Sequence, residues 1–325
     1  MLQASISPGT ALGATIATWA PHRVPTPQRS SGAVATPVYL ELAPTTPAGL
    51  TYNLVSYWEE RCQGVVQRTT MTKALALSWQ LLTGGEAMLV YEVVALALQK
   101  PDLTALESAL LLLATLYQRL ELAATSGGRL LALRNHAEVL ATWANVKQEL
   151  MRRSGGTDEI TRILVDSVGT QLQDPARLLA SLRHDYAFAF LLPDVYQQRF
   201  EDGLEYGQAR EFSQFFAGTS LWFNERLTVA AATSPAWAVL HLRGQLDEQR
   251  TDLAAATAQA TANLVAATGR QPASPLPRLR GTYEATLDLD ATTGWPIRVE
   301  VMVRAEAGRD YSKEYFLRLE QLVPQ

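Results

Sequence analysis

One cysteine and four histidines among 325 residues leave little material for the commonest site chemistries. A lone Cys62 excludes an intramolecular disulfide and suits a reducing compartment. The histidines are scattered singly, and neither His-Glu-x-x-His nor Cys-x-x-Cys occurs, so neither a zinc site nor a two-histidine iron site is expected. There is no Gly-x-Ser-x-Gly nucleophile elbow. The phosphate-cradling patterns Gly-x-x-x-x-Gly-Lys and Gly-x-Gly-x-x-Gly are missing too, and with them the usual grounds for expecting a nucleotide cofactor. The longest apolar run, Ala109 to Leu116, is far shorter than the roughly 18 residues that span a bilayer. Lys and Arg number 28 against 32 Asp and Glu, a net charge of −4, so no broad basic field recommends nucleic acid or an anionic membrane as a partner.

What the chain does have is period-two patterning at both ends with amphipathic helical segments between. Tyr283, Ala285, Leu287 and Leu289 alternate with polar residues, and after a turn at Thr293-Gly294-Trp295-Pro296 so do Ile297, Val299, Val301 and Val303. That is a hairpin with one wet face. Near the other end, Val38 to Leu42 and Leu50 to Trp58 read as strands, Gly64 offers a bend, and Met71–Leu82 turns at Gly84-Gly85 into Met88–Leu98. In the middle, Thr104 with Glu107 forms a capping box that opens a helix ending near Tyr117, and Arg119–Asn135 reads as a hairpin turned at Gly127-Gly128. Helices follow at His136–Arg153, from Thr157-Asp158 through Leu172, and from Asp174-Pro175 through Tyr186. Asp194 to Ala217 is aromatic without a clean period and reads as an irregular connection. Strands at Leu221–Ala231 and Trp237–Leu246, turned at Thr233-Ser234-Pro235, precede a helix over Thr251–Ala267, a Pro-rich linker and a closing strand over Glu314–Gln321. The fold class expected is α+β: antiparallel sheet from both chain ends, as a curved half-barrel or two smaller sheets, covered on one face by the central helices. Residues 1–36 read as a disordered leader whose basic residues, Arg23 and Arg29, follow its weakly apolar stretch, the reverse of a signal peptide, so a cytoplasmic location is expected. Residues 37–325 then form one domain, or two lobes at 37–192 and 193–325.

Candidate chemistry is sparse. Cys62 reads as a half-buried strand thiol, His241 as a residue on one face of a strand, His184 as a helix C-terminal dipole contact, and Glu201, Asp202 and Glu205 as a solvated charged turn. A hydrolase site would have to assemble in space from His136, His184, His241, Cys62, Glu201 and Asp202. The one feature that reads as a ligand surface is aromatic: Phe216, Trp222 and Phe223 beyond the run from Tyr196, joined by Trp79, His241 and Trp295. Metal ligands, catalytic residues and cofactors are not expected.

Two resemblances accompany these patterns. Gly128-Arg129-Leu130 through Asn135, Glu138, Val139 and Trp143 resembles a loose group of uncharacterised bacterial proteins in which a Gly-turned hairpin ending in Asn precedes a helix with an acidic residue and a Trp. Leu287-Asp288-Leu289 to Gly294-Trp295-Pro296 is similar to the strand, turn, strand unit of bacterial half-barrel proteins of the lipoprotein-carrier kind, which implies lipid held in a concave sheet. The function expected is non-enzymatic binding, with a protein or a hydrophobic small molecule as partner. A carrier would be recognised by a cavity lined by Trp79, Leu77, Phe223 and Val239.

Overall fold

The computed structural model describes residues 22–23, 38–46, 49–100, 103–155, 158–201, 204–230, 236–272 and 274–322. Nearly all of the expected leader, the Thr233-Ser234-Pro235 turn and Asp202 lie outside them. In chain order the elements are β1 (His22–Arg23), β2 (Val38–Tyr39), β3 (Leu50–Cys62), β4 (Val65–Leu81), β5 (Glu86–Leu98), α1 (Ala105–Ala114) with a 3-10 turn at Thr115–Tyr117, β6 (Arg119–Thr125) and β7 (Leu130–Leu133). Next come α2 (His136–Arg153), α3 (Glu159–Gln173), α4 (Pro175–Arg183), α5 (Tyr186–Leu191), β8 (Arg199–Phe200), β9 (Glu205–Phe216), β10 (Thr219–Ala230) and β11 (Trp237–Leu246). The chain closes with α6 (Leu253–Thr268), β12 (Arg280–Asp290), β13 (Pro296–Ala307) and β14 (Tyr311–Leu322). The fold is α+β, and its strand ladders with assigned register are antiparallel.

The chain divides into two compact units. The first holds Val55–Thr70 and Gln197–Glu320 with the described residues before Glu41. The second holds Glu41–Leu54 and Met71–Tyr196, with the chain from Gln321 onward. Both β3 and β4 are long enough to have residues in each. Within the first unit the strand order is β1-β9-β10-β11-β12-β13-β14-β3-β4, and β2 pairs separately with β8. One face of this sheet is built from the apolar phase of successive strands. Tyr283 lies beside Val303, and Val303 beside Tyr315, so alternate residues of β12, β13 and β14 are buried together. The Ala-rich α6 packs on β9 and β10, and its buried residues are Ala256, Ala260 and Leu264. The opposite face carries charge networks such as Arg298 and Arg318 on the two sides of Glu300, at 2.7 and 2.6 Å.

In the second unit β4, β5, β6 and β7 continue in order. The capping box at Thr104 and Glu107 is present, and Asp158, Asp174 and Asp185 cap α3, α4 and α5 with their carboxylates. In α2 the stripe Val139, Trp143, Val146 and Leu150 is buried, each side chain contributing roughly 1.5–3 kcal/mol before entropy is subtracted. α2 packs on α1 and α3, α3 on α4, and α4 on β7. No described helix is long and apolar enough to cross a membrane, which says nothing of strands.

Three expectations need correction. The segment read as an irregular connection contains β9, a twelve-residue strand. Its period is broken by a bulge: Phe216 pairs with Thr219 and Phe212 with Leu221, Gln214 sits at φ 55°, and Phe215 and Phe216 are both buried. The two extra residues on β9 hide the alternation. A second bulge sets Leu289 opposite Pro296 while Asp288 faces Arg298, so Pro296 is buried and Ile297 is only half-buried, out of the apolar phase assigned to it. Finally, the helix expected to run through Tyr186 breaks at His184-Asp185, where Asp185 caps a separate α5 by accepting from the N–H groups of Ala187 and Phe188.

Candidate functional site

Strand phase decides where each sequence-predicted site residue lies. Phe216 and Phe223 point to the buried face of the first unit's sheet. Trp222, one residue before Phe223, and His241, in register with Thr228 and Thr286, fall on the opposite face. His241 is exposed, its Nδ1 3.4 Å from Thr286 Oγ1. Trp222 is half-buried and tied through its backbone to Thr251 and Asp247. Trp295 is buried in its turn, and Trp79, in the second unit, is fully buried with its backbone N–H donating to Thr45 Oγ1 at 3.0 Å. Val239 shares the His241 face and Phe223 the other, so these two cannot line one cavity within the sheet.

The scattered chemical candidates divide in the same way. His136 and His184 belong to the second unit, and Cys62, Glu201 and His241 to the first. His136 Nε2 is 2.7 Å from the Leu172 carbonyl, an end-of-helix contact. Cys62 is buried, and burial with the nearby Glu60 charge pushes its thiol up to about 11, away from thiolate chemistry. Glu205 pairs with Arg226 at 3.0 Å. No group of three His, Cys, Asp or Glu able to hold a metal occurs among the described residues.

The structure instead brings together polar groups that were not singled out, all on the buried face of the first unit. Arg210 of β9 is paired bidentately with Glu225 of β10, whose side chain is 0% exposed. The Arg210 guanidinium lies 5.9 Å from the Tyr283 ring, and Phe212 and Phe223 lie tilted against that ring at 4.9 and 6.1 Å. Burial, with the Glu225 charge added, pushes the Tyr283 phenol well above its ordinary value.

Towards the β14–β3 side is a second cluster. Lys313 of β14, opposite Ala305, is half-buried and extends its ammonium over three rings: Trp58 at 5.2 Å, Phe216 at 5.3 Å and Phe215 at 5.8 Å. Trp58 in turn lies 4.7 Å from Tyr315 and 5.2 Å from Phe215. Glu60 Oε1 accepts from Tyr311 Oη and from Asn263 Nδ2 of α6, the latter at 2.7 Å. No carboxylate of the described residues lies within ion-pair reach of Lys313 Nζ. Desolvation therefore lowers the Lys313 pKa, with Glu60 opposing it from further off. The arrangement can hold an anion or an apolar group. A sequence signal for both clusters exists, since Glu225 stands in the apolar phase Leu221, Phe223, Leu227, Val229 and Lys313 in the phase Tyr311, Tyr315, Leu317, Leu319.

Comparison with known proteins gives no identity. No family model matches the chain, and no curated protein matches it. Among solved structures, one described as lipid-protein interactions in lipovitellin aligns with 85% of this chain at 8% identity and a TM-score of 0.41, and the chain spans only 25% of its length. An outer membrane channel from Pseudomonas putida F1 aligns over 86% of this chain and 97% of its own at 8% identity, with a TM-score of 0.16. Likeness at this level carries neither fold nor function across.

Proposed function

We propose that the protein is a non-enzymatic binding module that engages an extended, uncharged segment of another protein along the end of β5. One observation carries this reading. β5 pairs with β6 only from Glu86 to Glu92, so beyond Glu92 no described strand flanks it on that side, and the run Val93-Val94-Ala95-Leu96-Ala97-Leu98 contains no charge, glycine or proline. None of these six residues is buried, and Val94 is 62% exposed. An apolar edge of this kind is a template for strand addition, in which main-chain hydrogen bonds supply affinity and alternate side chains supply selectivity. In this reading the central helices cover one face of the sheet and leave the edge open. A buried Cys62 suits work in the reducing cytoplasm. The test is Val94→Lys, a charge placed on the edge: the wild-type protein should retain a partner on purification from its native cell, and the variant, with unchanged circular dichroism, should lose it. Retention by both sinks the reading.

A second reading is supported by the aromatic lining of the first unit. Here the sheet acts as a curved half-barrel and carries a hydrophobic small molecule beside the half-buried Trp58. Native mass spectrometry of detergent-free protein, before and after denaturation, tests it: a bound mass lost on denaturation is the expected result, and a clean protein mass counts against it.

A further inference from the structure

The open end of β5 is bounded at both limits. At one, the Val93 N–H donates to the Gln118 carbonyl at 2.7 Å, just before β6; at the other, the chain turns out of the strand, and the Leu98 carbonyl accepts from the Lys100 N–H at 3.0 Å. Between these limits Val94 to Leu98 have β4 on one side and no described strand on the other. Sheets blunt such an edge with charge or proline, and this stretch has neither. The chain returns from Leu98 to Gln118 through α1 and its 3-10 turn. A helix of ten residues is about 15 Å long and a strand stretch such as Val94–Leu98 about 17 Å, so α1 runs the length of the open edge. That helix is apolar nearly all round. Its single charge, Glu107, is buried and gripped by the Lys100 ammonium at 2.9 and 3.0 Å, whereas Leu110 is exposed and Leu111 and Leu112 are half-buried. A helix of this composition is one whose outer face is covered.

We propose that two copies of this chain pair antiparallel through Val94–Leu98, about a two-fold axis at Leu96, with α1 of each beside α1 of the other. This rests on the reading of the β5 end as an open edge and adds what occupies that edge when no partner segment does: a partner binds by replacing the copy. The slot takes a segment that leaves the sheet before reaching Gln118. The copy's own β5 end is such a segment, since it turns away at Leu98. With Leu96 opposite itself, Val94 faces Leu98 and Ala95 faces Ala97, apolar pairs throughout. The same register points Glu92, an exposed carboxylate that no described cation pairs, towards Lys100 of the copy at each end, so the rim charges are opposite. An edge this short is a small interface by itself. An axis perpendicular to the sheet keeps the two α1 helices on the same side of the paired strands, and their leucines extend the contact as the uncharged apolar surface typical of homodimers.

The test is the mass of the full chain in solution, by analytical ultracentrifugation over a wide range of protein concentration. The wild type should sediment at twice the chain's 35.6 kDa, and Val94→Lys and Leu110→Glu, each a charge at an exposed position, should sediment at the single mass with unchanged circular dichroism. Mild oxidation then reads the register. Cys62, the one cysteine, is buried, so the wild type should give no disulfide-linked dimer. Leu96→Cys should give one, because residue 96 faces itself at the roughly 5 Å Cα separation that a disulfide spans, and Leu98→Cys, which faces residue 94, should not. A wild type that keeps the single mass at every concentration would overturn the self-pairing and leave the open edge to its own test, in which a partner retained by Val94→Lys sinks the edge reading itself. A dimer that survives both charges, or that links through position 98 in preference to 96, would also overturn the proposal. If the charged variants do not fold, the comparison of positions 96 and 98 still decides it.

Discussion

At the scale of single residues, two carboxylates show how this chain places charge. Glu107 accepts from the Lys100 ammonium at 2.9 Å and from the Thr104 N–H at 2.8 Å, and these bonds hold its pKa at about 2. Its folded value lies below its unfolded one, so the stability it contributes is fully present above about pH 4.5 and fades as pH falls towards 2. Glu107→Gln should therefore destabilise α1 by about 1 kcal/mol at neutral pH, and the difference from wild type in urea melts should close through that acidic window. Glu225 is the more consequential. Glu225→Gln takes away the buried carboxylate that grips Arg210 and should cost about 3 kcal/mol, while the double change Arg210→Met with Glu225→Met should recover most of the loss. Equal losses in single and double variants would show that packing, rather than charge, holds β9 to β10. Glu107 was legible in the sequence because capping is a local spacing rule. Glu225 and Lys313 were not read as site residues, because a charge in the apolar phase of a strand acquires meaning only when its partner across the ladder is known.

At the scale of elements, hairpins and caps followed the local code closely. The turn from β3 to β4 consists of Gln63 and Gly64 at φ 48° and 87°, the pair of positive values that a type I′ turn requires. Glycine meets this freely and glutamine at a cost, so Gln63→Asn should raise stability by about 0.5 kcal/mol in thermal or urea unfolding. The backbone N–H of Gln63 donates to the Asp310 carbonyl at 2.8 Å, a bond the substitution keeps. Gly128 adopts φ 83° with Leu42 only 3.2 Å from where a Cβ would stand, which accounts for glycine at the β6–β7 turn. Elements were misread where a bulge shifted the phase, at Gln214 and between Asp288 and Leu289. Side-chain period is the signal for a strand: the single residue inserted on β13 inverts it beyond the bulge, and the two inserted on β9 interrupt it at Gln214.

At the scale of the whole molecule, binding should be visible as stability. If the first unit carries a ligand, stripping it should lower the melting temperature, and adding it back at about 100 times its dissociation constant should restore about 2.7 kcal/mol. A melting point indifferent to stripping would count against the carrier and leave the β5 edge as the binding surface. The sequence by itself determined the class of this protein, with antiparallel hairpins at both ends and capped helices between, and it ruled out an intramolecular disulfide, because periods, caps, turn residues and the cysteine count are local properties. Only the tertiary structure decided that Arg210 meets Glu225, and that Lys313 stands among Trp58, Phe215 and Phe216. Those juxtapositions join residues up to 255 positions apart, and they depend on strand register, which the chain sets through the sum of many pairings and bulges rather than through any one motif.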